Sequence, residues 1–393
     1  MTNQCPAAPA PAVTPPAGQT FAPLPFAHFA NQTLRQVIHT SIGGSRVRVV
    51  LSNAHGTAPL VIGGGSVALR ERDSAVQPAS VRQLTFSGRA TISIPARALA
   101  YSDPVELTMA AMSDLAVDVY LPGTTDTPSP VTMHNASFQT NYISETGNHV
   151  GRAALPTVAT VQSWFFLSRV EVLAPDATQV VVAFGDSITD GTRSTPDSNH
   201  RWPDPLVRRA LAQPSPRRIA ALNAGIAGNR VLSEGVFTAG LNALARFDAD
   251  VLDQAGVTHV VIMDGINDIG NARLNATPTA EDIIAGHKQL IARARSRGLR
   301  VIGATLTPFW GAAYYTEVGE TKRQAVNEWI RTSGAYDAVV DFDKATRDPA
   351  DPKKLRADFD SCDHLHPSDA GYQAMAAAVD LALFEQAPSL RSQ

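Results

Sequence analysis

The sequence predicts a two-domain protein: a three-layer α/β/α domain around a mostly parallel five-stranded sheet, preceded by a β-sandwich. Three observations carry this. From residue 21 to about residue 175 short strand patterns alternate with turn residues, and no helical period interrupts them. After Ala174-Pro175-Asp176 the pattern becomes strand, helix, strand, helix. The first strand of that second part, Val180-Val181-Val182-Ala183-Phe184, is a β-branched apolar run stopped by Gly185, as in a buried parallel strand.

In the first part, Ser45-Arg46-Val47-Arg48-Val49-Val50-Leu51 alternates polar with apolar residues, the mark of a half-buried strand. Ser66–Arg70, Gln83–Phe86, Ala90–Ile94, Val105–Met109 and Leu115–Leu121 repeat the signal. Gly63-Gly64-Gly65, Ser87-Gly88, Asp103-Pro104 and Pro122-Gly123 punctuate it. Short strands at this spacing suggest a sandwich of jelly-roll type. Ser163–Val172 reads as its last long strand, with Trp164 and Phe166 on one face and Phe165 and Leu167 on the other. These aromatics are read as core or interdomain contacts in preference to a sugar platform.

In the second part, strands are expected at Val180–Phe184, Arg218–Asn223, Thr258–Met263, Arg300–Thr305 and Ala338–Asp341. Helical patterns fill Pro205–Ala212, Ala239–Gln254, Ala280–Arg297, Glu320–Thr332 and Ser368–Phe384. Pro203 is placed to open the first of these, and Thr279-Ala280-Glu281-Asp282 supplies a cap and first-turn acids for the third.

Composition narrows the function. The 393 residues suffice for two domains with cores of their own. There are 33 basic and 36 acidic residues, a net charge of −3, and no basic stripe, so no nucleic-acid partner is expected. No apolar run reaches the ~18–20 residues that span a bilayer. Two cysteines, Cys5 and Cys362, cannot make a disulfide framework. Ten of the first twenty residues are Pro or Ala, so residues 1–20 read as a flexible tail, which argues against a Cys5–Cys362 bridge. Such a tail is like the linker behind an export signal, and a secreted or periplasmic location is the expectation, although no signal precedes it in this sequence.

Four segments fall at the carboxyl ends of the predicted strands or just ahead of the last helix. They are Gly185-Asp186-Ser187, Asn223-Ala224-Gly225-Ile226-Ala227-Gly228-Asn229, Gly265-Ile266-Asn267-Asp268 and Asp363-His364-Leu365-His366-Pro367. Open α/β sheets place their ligands at these strand ends. On local grammar alone Ser187 is an ordinary helix cap, and Asn267 is as readily a turn residue as a functional one. Taken together, the segments bring chemistry. A serine hydroxyl needs a general base, and that base needs a partner to fix its tautomer. Asp363 and His366, three residues apart on one loop, suit a turn that brings the carboxylate to the imidazole.

In order and placement these segments resemble the four blocks of the GDSL-type esterases and lipases, or SGNH hydrolases, over about Thr178–Phe384. The first block reads Gly-Asp-Ser-Ile here, and the four-part pattern is far more specific than any single block. The resemblance implies a flavodoxin-like hydrolase domain with no metal or organic cofactor. It extends to the sandwich, because some bacterial members join such a domain to the hydrolase. It places the family letters on Ser187, Gly228, Asn267 and His366, with Asp363 completing a Ser-His-Asp triad. The backbone N–H groups of Ser187 and Gly228 and the Asn267 amide would then form an oxyanion hole.

Asp186 and Asp268 are read as shaping their turns, His364 as a solvated or wall residue, and Arg201-Trp202-Pro203 as packing the first helix. Asn229, Arg230, Phe309, Trp310 and Tyr314 are candidates for the substrate pocket. The function expected is hydrolysis of carboxylic esters through an acyl-serine. A carbohydrate O-deacetylase using the same triad is the alternative, so the substrate is a small-molecule or carbohydrate ester. Two further readings are a metal hydrolase built on Asp358, Asp360, Cys362, Asp363, His364 and His366, and a non-catalytic glycan binder.

Overall fold

The computed structural model describes residues 28–175, 178–214, 217–235, 237–270 and 278–385. The Pro/Ala-rich tail and Cys5 lie outside the described residues. The chain divides into two compact units between residues 176 and 177.

The first unit is strand-rich and antiparallel. One sheet runs, in order, Thr157–Val161, Asn141–Thr146, Ala30–His39, Asp114–Thr124, Gly64–Arg72 and Ala75–Val76. A second holds Leu167–Val172, Gly44–Ser52 and Leu99–Tyr101, with Val105–Met109 also paired to Gly44–Ser52. Both sheets feed one core: Leu34, Val117 and Val119 from the first cluster with Val47, Val49 and Leu51 from the second. This shared core is why one face of each strand is apolar.

Five of these strands, Ala30–His39, Ala75–Val76, Leu99–Tyr101, Asn141–Thr146 and Thr157–Val161, are not among those expected. The first carries Thr33, Arg35 and Gln36 fully buried, which hides its alternation. Their partners explain the burial. Arg35 donates Nε and Nη2 to the two oxygens of Asp118, at 2.7 and 2.8 Å, and Gln36 exchanges hydrogen bonds with the backbone of Phe165. The expected strand Ser163–Val172 is broken at Phe166, whose φ of 57° is left-handed. The break removes the predicted alternation: Phe165 and Phe166 both enter the core, while Trp164 is half-buried and donates Nε1–H to the Val37 carbonyl.

In the second unit the five parallel strands are β1 (Gln179–Gly185), β2 (Ile219–Gly225), β3 (Val257–Met263), β4 (Arg300–Ala304) and β5 (Ala338–Val340). Their order is β2-β1-β3-β4-β5, with the reversal of strand order beside β1. A doubly wound sheet of this order opens its ligand crevice at the carboxyl ends next to that switch point. The helices are α1 (Ser187–Asp190), α2 (Pro203–Leu211), α3 (Ala243–Phe247), α4 (Ile266–Gly270), α5 (Ala280–Ser296), α6 (Glu317–Thr332), α7 (Phe342–Thr346) and α8 (Asp369–Ala378). Pro203 opens α2, and a Thr279–Asp282 capping box opens α5.

Two expected helices are shorter than their patterns. The Ala239–Gln254 pattern yields a 3₁₀ turn, α3 and a π turn at Asp248–Leu252, because Gly240 is left-handed and Asn242 caps anew. The Ser368–Phe384 pattern stops at Ala378, and Asp380 then caps a 3₁₀ turn at Leu381–Phe384. The core of this unit is the sheet's two faces, with Val182, Phe184, Val261 and Ile262 fully buried among helix residues such as Leu206 and Leu290.

Candidate active site

Two glycines set the floor. A Cβ on Gly185, the last residue of β1, would lie 2.2 Å from the Met263 carbonyl oxygen. A Cβ on Gly225, the last of β2, would lie 2.1 Å from the Asp190 nitrogen. Both positions therefore require glycine, and its absence of a side chain lets α1 press down on the strand ends. Asp186 caps α1 by accepting the Ile188 N–H at 2.9 Å, which fixes Ser187 as the first helical residue. Ser187 is buried, 6% exposed.

The loop ahead of α8 completes a relay. His366 Nε2 lies 2.8 Å from Ser187 Oγ, and His366 Nδ1 lies 2.7 Å from Asp363 Oδ2. Asp363 Oδ1 accepts the backbone N–H of His366 at 2.8 Å and of Leu365 at 3.1 Å, and the Ser361 hydroxyl at 3.2 Å. This is the turn that a three-residue spacing allows. Burial pushes the Asp363 carboxyl up, but the His366 ring and these N–H donors outweigh it and hold the group well below the usual carboxylate range. With Asp363 ionised, the Nδ1–H tautomer is favoured, so Nε2 is the nitrogen that faces the hydroxyl.

The other two segments meet each other. Asn267, in the first turn of α4, donates Nδ2–H to the Asn229 carbonyl at 3.0 Å, one residue beyond Gly228. Asp268 accepts the N–H groups of Val231 and Leu232 at 2.8 and 3.1 Å, so α4 grips the 228–232 loop with two successive side chains. Gly228 has φ +78°, a conformation that glycine adopts without strain. The Tyr314 hydroxyl approaches Asn267 Oδ1 at 3.4 Å, and its ring lies where a Cβ on Gly270 would be.

Three buried carboxyls underlie the serine. Burial pushes Asp186 up to about 7, Asp268 to about 6 and Asp264 well above its ordinary value, with the charges of Asp186 and Asp268 adding to the last. Arg246 threads among them, donating to the Gly185 and Ala224 carbonyls, to Asn229 Oδ1 and to Asp250.

The pocket candidates divide. Asn229 is a brace, 1% exposed, with its amide N–H groups on the Ala239 and Leu241 carbonyls; it does not line a pocket. Phe309 is likewise fully buried, packed on Tyr315 with ring centroids 5.0 Å apart. Arg230 donates Nη1–H to the Glu234 carbonyl at 3.5 Å, and its charge acts on Asp268. Trp310 is 41% exposed, with Lys354 Nζ 4.0 Å from its ring centre, and Tyr314 reaches the Asn267 side chain. His364 is half exposed, hydrogen-bonded to Asp360 at 2.5 Å and packed on Gly311. Among the described residues no group of three or more His, Cys, Asp or Glu is placed to hold a metal ion.

Cys362, next to Asp363, is disulfide-bonded; the expectation about a bridge to Cys5 concerns a residue outside the described residues. Sequence reading also passed over Arg193, whose Nε–H donates to Asp363 Oδ2 at 3.1 Å, and Asp264; no local pattern marks either residue.

Residues 183–374 match the model of the GDSL-like lipase/acylhydrolase family. No curated protein matches the chain. Three similar solved structures are a GDSL-like lipase from Bacteroides thetaiotaomicron, an aryl esterase from M. smegmatis and an acetyl xylan esterase, AlAXEase. The first is 20% identical, covering 54% of this chain and 91% of its own, with TM-score 0.40. The aryl esterase is 16% identical over 51% of this chain and 96% of its own, TM-score 0.42. The acetyl xylan esterase is 20% identical over 51% and 96%, TM-score 0.40. The α/β domain, residues 183–374, thus belongs to the GDSL-like lipase/acylhydrolase family, and the protein is an ester hydrolase.

Proposed function

We propose that the protein hydrolyses carboxylic esters through an acyl-serine intermediate, with Ser187 as nucleophile, His366 as general base and acid, and Asp363 orienting the imidazole. The observation that carries this reading is the unbroken relay from Ser187 Oγ to His366 Nε2, 2.8 Å, and from His366 Nδ1 to Asp363, 2.7 Å. His366 takes the Ser187 proton as the oxygen attacks the acyl carbonyl, then gives it to the departing alcohol. Water, deprotonated by the same ring, attacks the acyl-serine and releases the acid.

The tetrahedral intermediate carries an oxyanion. Its donors in this reading are the N–H groups of Ser187 and Gly228 and the second amide N–H of Asn267, the first being held by the Asn229 carbonyl. Trp310 and Tyr314 are the pocket candidates that keep this role. Residues 21–175 serve as an accessory sandwich of jelly-roll type and 176–393 as the catalytic domain, in a protein that works outside the cytoplasm. No helix among the described residues is long and apolar enough to cross a membrane.

Ser187→Ala tests the assignment: the variant folds as the parent does and loses nearly all turnover, whereas activity near the parent's would sink it. Nitrophenyl acyl esters of increasing length, run beside acetylated xylan, define the substrate. Preference for acetylated xylan would make the enzyme a carbohydrate O-deacetylase.

A further inference from the structure

Asp363 Oδ2 is shared. It accepts His366 Nδ1–H at 2.7 Å and Arg193 Nε–H at 3.1 Å, while Asp363 Oδ1 is saturated by three other donors. Arg193 is not a wandering surface chain. Its own φ is +72°, a conformation a non-glycine residue adopts only when its surroundings hold it there. Those surroundings are visible on both sides. The Thr192 N–H donates to the Ser187 carbonyl at 2.9 Å, and the Tyr372 hydroxyl donates to the Thr192 carbonyl at 2.7 Å. Thr195 donates its N–H and its hydroxyl to Asp369 at 2.9 and 2.6 Å, with His200 on the same carboxylate at 2.8 Å. The strap from the nucleophile to α2 is thus tied at two points to α8, and Arg193 lies between the ties with its guanidinium on Asp363.

Resting on the triad reading above, we propose that Arg193 is a positioning residue for the His366 base. By occupying one side of Oδ2 it confines the imidazole to the other, which fixes the ring plane that aims Nε2 at Ser187. Its charge also faces the ring across that shared oxygen. Of the ionisable groups around this pair, Asp186 at the cap of α1 interacts with His366, Tyr314 and Tyr372 lie in the field of Asp363, and Asp369 and His200 sit against the strap at Thr195. Asp360 and His364 lie on the triad loop itself and pair with each other. Asp186, which burial pushes up to about 7, is largely neutral across the acid limb, and the two tyrosines stay neutral because burial pushes their hydroxyls up.

The test is the pH profile of kcat/KM for an uncharged acyl ester in Arg193→Gln, Arg193→Lys and Ser187→Ala. At the high effective dielectric suited to a side chain a third exposed, removing the charge should move the acid limb of Arg193→Gln up by roughly 0.5–1 pH unit. Plateau kcat should fall several-fold with KM little changed, and Arg193→Lys should keep the limb near the parent's while recovering only part of kcat. Arg193→Met, which retains the stem, replaces the Gln variant if that variant does not fold. An acid limb superimposable on the parent's in the neutral variant overturns the proposal, even if kcat falls. Ser187→Ala separates the two failures: turnover there would remove the triad reading, whereas an inactive Ser187→Ala beside an unmoved Arg193→Gln limb removes the role of Arg193 alone.

Discussion

Asp264→Asn makes the chain more stable at alkaline pH than the parent. Gly185 and Met263 are register partners on β1 and β3, so the residues that follow, Asp186 and Asp264, stand side by side at the strand ends. They are 1% and 0% exposed, and each has one oxygen on a backbone N–H and Oδ2 without a hydrogen-bond partner. Two buried carboxyls in this position cannot both ionise cheaply, and the pair retains a proton near neutrality. Burial raises Asp186 from 3.8 to about 7. A folded-state value raised above the unfolded one stabilises the native state fully below about pH 4, and that contribution is lost as pH rises toward 7. Three pH units correspond to roughly 4 kcal/mol across that window.

In Asp264→Asn one carboxyl is gone, and the new amide has N–H donors to offer Asp186 Oδ2, so the folded chain tolerates the remaining charge. Urea midpoints at pH 5 and pH 8, followed by loss of esterase activity so that only the α/β domain is read, supply the comparison. The parent should lose stability over this interval and the variant lose less, by about 1–4 kcal/mol. Parallel pH dependences, with only a constant offset between parent and variant, would refute the shared proton.

Two further predictions concern the strand ends. Asn267→Ala should lower kcat by ~10²–10³ with a smaller change in KM; a rise in KM alone would make Asn267 a binding residue. Gly225→Ala should fail to accumulate as folded protein or melt well below the parent, because its Cβ has backbone on α1 2.1 Å away and nowhere to move; a normal melting temperature would contradict the close packing of α1 on β2.

How much of this was legible in the sequence depends on how local the physics is. The strand-end glycines, the serine, and the aspartate and histidine three residues apart express short-range rules, and sequence places them where the structure brings them together. β1 to β5 were legible because a buried parallel strand is a short β-branched run. The strand Ala30–His39 was not, because Arg35 is satisfied by a carboxylate 83 positions away, and nothing near it in sequence announces that. Asn229 read as a pocket residue for the converse reason. A polar side chain beside an oxyanion glycine suggests substrate, yet its amide is consumed by the Ala239 and Leu241 carbonyls and by Arg246. Arg193 meets Asp363 across 170 positions, a contact that only the folded strap creates.

The proposed function rests on Ser187 as the nucleophile. Its most direct test is stoichiometric labelling of the intact protein with a fluorophosphonate, followed by peptide mass analysis and assay of residual ester hydrolysis. One adduct per chain is expected, carried on the peptide containing Ser187, with activity lost in proportion to labelling and unaffected by chelators. Full activity after exposure to the reagent with Ser187 unmodified, together with inactivation by a chelator, would contradict it.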